Sequence, residues 1–163
     1  MAILPGASAS GYPHIWRVDV SVRSLIRQPV PPAWEHLGGR GLIARILLDE
    51  VPPECEPLGP YNKLIFTPGL LVGHMISSCD RISIGGKSPL TRGVKEANAG
   101  GTTGMEMACL GIRALIIENE PAQPGWWVLY LNSTGAQFIP AGDLVGLGVY
   151  ASAEKLREQY GKA

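Results

Sequence analysis

The stretch from Cys79 to Gly104 has the residue types that could bind an anionic ligand. Six of its 26 residues are glycines, and lysine, arginine, serine and threonine account for many of the others. Glycine lets the backbone approach a ligand closely and present free N–H groups, and nearby cations favour negative charge. These residues suggest a phosphate-bearing ligand on a loop. The alternative is a surface hairpin whose glycines only form turns. Residue types alone favour the hairpin, because the stretch lacks a fixed fingerprint.

Neither a P-loop nor a dinucleotide-binding turn is indicated. Gly86-Lys87-Ser88 comes nearest to a P-loop, but the upstream glycine is absent at the required spacing. Pro89 follows where the helix of a P-loop must begin. No strand leads directly into Gly-x-Gly-x-x-Gly and a helix.

A second glycine-rich turn, Gly38–Gly41, precedes a helical pattern at Leu42–Glu50. It could present backbone N–H groups to an anion at the helix N-terminus. It could instead be a tight turn that lets the helix pack closely, which the residues favour. Both interpretations stay open on sequence alone.

The composition is low in charged residues, which suggests that something else covers part of the protein's surface. Hydrophobic residues make up 45% of the 163 residues, charged residues only 17%, and the formal net charge is zero. About a quarter charged is usual for a soluble domain. Neutrality argues against a nucleic-acid binder and against a polybasic membrane module, so we expect neither partner. No stretch approaches the length of a membrane span.

The three cysteines, Cys55, Cys79 and Cys109, are far apart and form no Cys-x-x-Cys pair. No zinc ribbon or iron–sulfur cluster is therefore expected to be held by this chain alone. An odd number of cysteines, without a signal-peptide pattern in Met1–Gly11, suggests reduced thiols and a cytoplasmic protein.

Hydrophobic patterning predicts short strands mixed with a few helices. Residues 1–13 are expected to be loose. Strands are predicted from Ile15 and over Ser24–Val30, Lys63–Thr67, Arg81–Gly85 and Ala114–Ile117, with a hairpin over Trp126–Asn132 and Ala136–Ile139. Helices are predicted over Leu42–Glu50, from Thr102 or Thr103 to Leu110 with Gly111 after it, and from a Ser152 cap to Gly161, with Glu154 in the first turn. No repeat with a spacing of 20–50 residues is visible. This order favours a mixed α+β fold over a doubly wound parallel sheet.

From Ile15 onward the chain resembles the N-terminal domain of the aldehyde:ferredoxin oxidoreductases, which are tungsten-pterin enzymes. The most specific match is Lys87–Thr91 (Lys-Ser-Pro-Leu-Thr) followed by Ala97–Gly101 (Ala-Asn-Ala-Gly-Gly). Other matching pieces are Leu37–Leu42, Leu48–Pro53, Pro57–Pro60, Asn62–Phe66, Arg81–Ile84, Ala114–Glu118 and Leu156–Glu158. The resemblance implies one domain over residues 14–163, incomplete at its C-terminus. It implies an α+β fold of short, mostly antiparallel strands in two halves.

The resemblance also implies the cofactor and the residues that contact it. In the family, tungsten or molybdenum is held by the dithiolenes of two pyranopterins, and a magnesium ion links their phosphates. Arg81 matches an arginine that contacts the pterin, Asn98 an asparagine whose backbone carbonyl ligates the magnesium, and Gly100 a glycine lying against the cofactor. Ala99, Gly101, Ser83 and Lys87 are weaker candidates. Asn98 could also have been selected for a left-handed φ.

The function implied by the resemblance is that of a cofactor-seating portion of an oxidoreductase. The whole enzyme would oxidise aldehydes to carboxylic acids and pass electrons to ferredoxin. Its remaining domains or subunit would ligate the 4Fe-4S cluster and complete an oligomer, so this chain alone is expected to be inactive. The alternatives are a non-catalytic assembly module and a related tungsten enzyme acting on another substrate.

Overall fold

The computed structural model describes residues 13–74 and 76–161, which form two compact units. The first unit is Met1–Ala122 and the second is Gln123–Ala163. Of the segment expected to be loose, residues 1–12 lie outside the described residues. In the part of the chain that is described, no helix is long and apolar enough to cross a membrane.

The first unit contains a six-stranded sheet with strand order β2-β1-β6-β3-β4-β5. Its elements are β1 (His14–Asp19), β2 (Ser24–Pro29), a 3-10 turn (Pro32–Trp34), α1 (Gly39–Glu50), β3 (Lys63–Pro68), β4 (Ile82–Lys87), β5 (Val94–Ala99), α2 (Thr103–Cys109) and β6 (Ile112–Glu118). The β1–β6 pair is parallel and the other four pairs are antiparallel. The predicted α+β fold of short, mostly antiparallel strands is confirmed.

Helix α1 packs its apolar face on one side of this sheet. Four of its side chains, spaced to lie on one helical face, are at most 5% exposed: Leu42, Ile43, Ile46 and Leu47. They join a core cluster with strand residues from β1, β3 and β6. The central position of β6 explains its continuous apolar run, since Ala114, Leu115 and Ile116 are all buried.

Four charged side chains fasten the C-terminal end of α1 to the sheet. Arg17 Nη1 donates to Glu50 Oε2 at 2.9 Å and to Glu118 Oε2 at 3.2 Å. Lys63 pairs with the same two carboxylates. Burial alone would lower the pKa of Arg17, but hydrogen bonds and the charges of Glu50 and Glu118 raise it above its usual value. The cluster therefore fixes the position of α1 over the sheet.

The glycine-rich stretch forms a hairpin, because β4 and β5 pair along their whole length. Gly85 and Gly86 lie inside β4 rather than in a turn. A Cβ on Gly85 would lie 2.8 Å from Ile43 Cγ2 of α1, and a Cβ on Gly86 would lie 2.6 Å from the Lys63 carbonyl oxygen. These two glycines therefore serve helix–sheet and strand packing.

The second unit consists of β7 (Trp127–Asn132), β8 (Gly135–Pro140), a 3-10 turn (Gly142–Leu144) and α3 (Val149–Tyr160). The predicted hairpin is confirmed, because β7 and β8 pair antiparallel. Tyr130 of β7 stacks on Tyr160 of α3, with their ring centroids 4.8 Å apart. This contact fastens the helix to its own hairpin.

The second unit repeats the local architecture of residues 14–50. Both copies have two six-residue strands, a three-residue 3-10 turn and a 12-residue helix. Equivalent hydrogen bonds recur 110 residues apart, as in Leu42 N to Gly38 O and Ser152 N to Gly148 O. The sequence shows no repeat at spacings of 20–50 residues, and the spacing of this repeat is longer than that.

Helix α3 begins earlier than predicted. Its N-cap is Gly148, so Ser152 lies within the first turn and Glu154 beyond it. The prediction that Ser152 caps this helix was wrong. Gly148 has the extended backbone from which a helix starts, and the backbone N–H of Ser152 already donates to the Gly148 carbonyl. The predicted end is confirmed by Gly161, whose φ is 84°.

Helix α2 lies where it was predicted and begins at Thr103. Thr102 occupies the N-cap position but makes no side-chain capping hydrogen bond. Its φ of −85° and ψ of −17° are already helical, whereas a capping residue normally has extended backbone. Gly111 follows the helix with φ 70°, as predicted.

Candidate functional site

A chain of polar side chains lies on the α1-facing side of β4 and β5. Arg81 Nη1 donates to Asn98 Oδ1 at 2.9 Å, and Asn98 Nδ2 donates to Ser83 Oγ at 3.1 Å. Ser83 and Asn98 are cross-strand partners, and alternation along the strand puts Arg81 on the same side. The structure thus brings together three residues singled out from the sequence.

These contacts orient Arg81 without using all its donors. A guanidinium has five N–H groups, and within the described residues only the hydrogen bond to Asn98 engages them. Arg81 and Asn98 are exposed, while Ser83 beneath them is buried. The arrangement presents a tethered cation whose remaining donors can bind an anion.

Asn98 lies within β5 and does not have a positive φ. The interpretation that asparagine was selected for left-handed backbone is therefore wrong. Its side-chain amide instead links Arg81 to Ser83, donating through one atom and accepting through the other. Because β5 is an edge strand, alternate backbone carbonyls along it have no strand partner.

The N-terminal end of α1 lies beside this polar chain. Buried Thr67 Oγ1 donates to the Gly39 carbonyl at 2.8 Å, and a Cβ on Gly39 would lie 3.4 Å from Ser83 Oγ. A Cβ on Gly38 would lie 2.5 Å from the Leu70 backbone nitrogen. The packing interpretation of the Gly38–Gly41 turn is therefore supported.

The same helix end also contributes to the electrostatics of the site. Among the described residues no side chain caps α1, so its first-turn N–H groups have no side-chain acceptor. The partial positive charge of this 12-residue helix adds to that of Arg81. Together they favour a negatively charged group above Ser83.

Ala99, Gly100 and Gly101 follow Asn98 at the exposed end of β5. A Cβ on Gly100 would have no heavy atom within 4 Å, and Gly100 does not have a positive φ. Gly101 has φ 110°, which by itself favours glycine. Gly100 is thus unlike Gly85 and Gly86, since neither packing among the described residues nor backbone conformation requires glycine there.

Lys87 lies at the other end of β4 and does not join this group. Its ammonium donates to the backbone carbonyls of Pro53 and Cys55. These contacts fasten the loop after α1 to the hairpin. Of the weaker candidates, Ser83 is therefore part of the polar chain and Lys87 is not.

Sequence patterns did not point to Thr67, which holds the helix end against β3. A threonine at the end of an apolar strand indicates only a sheet residue, and Gly39 lies 28 positions away from it in the sequence. The Gly38–Gly41 turn was the available signal for that contact.

The described residues contain no group of three or more His, Cys, Asp and Glu side chains that could hold a metal ion. Cys55 is buried, Cys79 partly buried and Cys109 exposed, and none forms a disulfide.

The family model for the aldehyde ferredoxin oxidoreductase N-terminal domain matches residues 15–163. The chain belongs to this family. Tungsten-containing aldehyde ferredoxin oxidoreductases of Thermococcus kodakarensis and Pyrococcus abyssi are 34% and 35% identical to it over 129 residues. Each alignment covers 79% of this chain and 21% of the relative, so the chain spans about a fifth of their length.

Among solved structures, this chain is similar to the active site complex BamBC of benzoyl coenzyme A reductase in complex with 1,5-dienoyl-CoA. It superposes with a TM-score of 0.83 and 33% sequence identity, over 90% of this chain and 22% of that chain. The oxidoreductase N-terminal fold therefore occurs in proteins named for different reactions.

Proposed function

We propose that this chain is the cofactor-seating portion of a tungsten oxidoreductase. Its membership of the aldehyde ferredoxin oxidoreductase family and the names of its relatives support this assignment. The single observation that carries the site is the Arg81–Asn98–Ser83 chain beside an uncapped helix N-terminus. That arrangement favours bound anions, as a pterin phosphate requires.

In this proposal Arg81 binds a phosphate or polar edge of a pterin, and Asn98 positions it. The backbone carbonyl of Asn98 would help to hold a magnesium ion that accompanies the cofactor. Ala99, Gly100 and Gly101 would form the surface against which the cofactor lies, which accounts for a glycine at 100 that the described protein contacts do not require.

The residues present fit a tungsten or molybdenum bis-pterin. The group is anionic, and the exposed tethered cation, the helix dipole and the open backbone suit it. When bound, it would supply the redox chemistry that converts an aldehyde to a carboxylic acid. The protein's contribution from this chain is binding, orientation and charge.

The other parts of the proposed enzyme lie outside this chain. The remaining domains or a further subunit would supply the substrate pocket, the opposite side of the cofactor site and a 4Fe-4S cluster that passes electrons to ferredoxin. We expect a cytoplasmic, oligomeric enzyme, and we expect this chain alone to be inactive.

A second candidate is a related tungsten enzyme with another substrate, and the likeness to the BamBC active site complex favours it. Assays of the complete enzyme with benzaldehyde and with benzoyl-CoA would distinguish the two. Turnover of the aldehyde alone supports the first proposal, and turnover of the thioester alone supports the second.

The site is tested by changing Arg81→Ala in the complete enzyme. Loss of a charged hydrogen bond weakens binding by about tenfold or more, so we expect a marked fall in tungsten and pterin content. Arg92→Ala is the matched control, because Arg92 is an exposed arginine in the turn of the same hairpin. We expect the control to keep its metal and both variants to keep their fold by circular dichroism.

Full tungsten content in Arg81→Ala would remove Arg81 from the site. A wild-type enzyme that contains neither tungsten nor pterin would instead favour the non-catalytic assembly module.

A further inference from the structure

Arg113 lies in β6 where the pairing with β1 shifts register, since His14 pairs with Ile112 and Ile15 pairs with Ala114. The Arg113 Nε atom is buried and has no hydrogen-bond partner within the described part of the chain. Across residues 13–74 and 76–161, no carboxylate pairs with its guanidinium, in contrast to Arg17 in the same sheet.

This lack of a partner has an energetic consequence. Burial lowers the pKa of the Arg113 guanidinium, and no neighbouring charge offsets the effect. A partly buried cation without an acceptor loses hydration and gains no ion pair. An anion that entered this region would restore a charge interaction to the guanidinium.

A cleft of about 240 Å³ opens beside Arg113. Its walls include the turn Gly69–His74 and the residues Ala108 and Gly111 at the C-terminal end of α2. Among the described residues that line it there is no aspartate or glutamate, and the ionisable ones are Arg113 and His74.

The walls of the cleft are held in place by the fold. Gly73 has φ 91°, and a Cβ there would lie 2.7 Å from Ala108 Cβ. The turn therefore packs directly on α2. Gly69 N also donates to the Arg81 carbonyl at 3.1 Å, which fixes the other end of the turn. A ligand would enter a cleft that is already formed.

We propose that this cleft binds a carboxylate against Arg113. A planar carboxylate matches the fork formed by the two terminal nitrogens of a guanidinium. Val72 and Pro68 supply apolar wall beside it, which suits the carbon skeleton of a monocarboxylate. The carboxylate belongs either to a small organic acid or to an acidic side chain of the protein outside this chain.

The test uses hydrogen exchange of the purified complete polypeptide, followed in the peptide covering residues 69–74. Sodium benzoate is the probe, and sodium chloride at equal ionic strength is the control. Wild type is compared with Arg113→Met, which keeps an unbranched stem without the charge, and with Arg113→Lys, which keeps the charge. The proposal does not depend on the assignment of the cofactor surface.

If the ligand is a free organic acid, benzoate slows exchange of the turn at least threefold in wild type and leaves Arg113→Met unchanged. If a carboxylate of the protein occupies the cleft, benzoate has no effect. In that case Arg113→Met speeds exchange at least threefold and Arg113→Lys restores most of the protection. Either result supports the carboxylate site and identifies its source.

Two results would overturn the proposal. One is an equal response to benzoate in wild type and Arg113→Met, which indicates a non-specific effect. The other is no response to benzoate together with the same exchange rate in Arg113→Met and Arg113→Lys, which indicates that the charge has no ligand.

Discussion

The two hairpin–helix copies, residues 14–50 and residues 127–160, have the same local architecture but different support. In the first copy α1 buries four apolar side chains against a six-stranded sheet. In the second copy no described residue of α3 is buried, and its sheet has two strands. Equal element lengths therefore do not give equal packing, because packing depends on what the rest of each unit provides.

The difference extends to the chemistry of the two helix N-termini. In the first copy, Thr67 of β3 and Ser83 of β4 lie against Gly39. Hydrogen bonds then join Ser83 to Asn98 and Asn98 to Arg81. In the second copy, Val149 and Tyr150 of the equivalent turn are 83% and 93% exposed. The candidate site thus arises where a common hairpin–helix motif is extended by further strands.

The largest expected effect is a difference in the free energy of unfolding lost on alanine substitution at equivalent positions of the two helices. Ile46 in α1 corresponds to Leu156 in α3, and Ile46 is fully buried while Leu156 is half-buried. We expect Ile46→Ala to lower the free energy of unfolding of its unit by about 3 kcal/mol and Leu156→Ala by about 1 kcal/mol. Hydrogen exchange of peptides covering each helix in urea measures both. Equal losses would mean that the two helices are equally supported.

An effect of similar size separates the two N-cap glycines. Alanine at 38 would bring a Cβ to 2.5 Å from the Leu70 backbone, whereas alanine at 148 would have no heavy atom within 4 Å. Replacing glycine by alanine at an N-cap costs both helices the same, so the difference isolates the clash. We expect Gly38→Ala to lose about 2 kcal/mol more than Gly148→Ala. Urea unfolding of both variants checks this, and a difference near zero would show that the turn can shift.

The smallest expected effect is a pH dependence present in the first copy alone. The hydrogen bond from Trp34 Nε1, with a further contribution from Arg45, lowers the pKa of Asp49 in α1. A lowered folded pKa stabilises the protein above the unfolded pKa, and this contribution is lost as the pH falls through the folded value. The equivalent residues in the second copy, Leu144 and Gln159, cannot form this contact.

Thermal unfolding of wild type and Asp49→Asn at pH 7 and at pH 3 measures this contribution. We expect the variant to be less stable at pH 7 and the gap in melting temperature to narrow at pH 3. A gap that stays constant between the two pH values would show that the carboxylate charge of Asp49 has no role.

Local elements were predictable from sequence, while long-range contacts were not. Alternation predicted β1 and β2, and the Asn132–Gly135 turn predicted the β7–β8 hairpin, because these signals act between neighbouring residues. The parallel pairing of β1 with β6 joins residues about a hundred positions apart, and no local pattern encodes it. The start of α3 was missed because Ser152 is a stronger local cap signal than Gly148.

The candidate site was predictable only in part for the same reason. Arg81, Asn98 and Gly100 were chosen from a family resemblance, and the direct hydrogen bond from Arg81 to Asn98 shows how two of them meet. Gly85 and Gly86 looked equivalent to Gly100 in the sequence. Only the position of α1 and the neighbouring strand distinguishes packing glycines from one on an open surface.

The most direct test of the cofactor surface is the tungsten and pterin content of the complete enzyme carrying Gly100→Ala. The matched control is Gly148→Ala, since both glycines lack a positive φ and a Cβ at either has no heavy atom within 4 Å. We predict that Gly100→Ala unfolds within about 1 °C of wild type but retains at most a third of its tungsten, while the control retains all of it. Full tungsten content in Gly100→Ala would contradict the assignment of this surface to the cofactor.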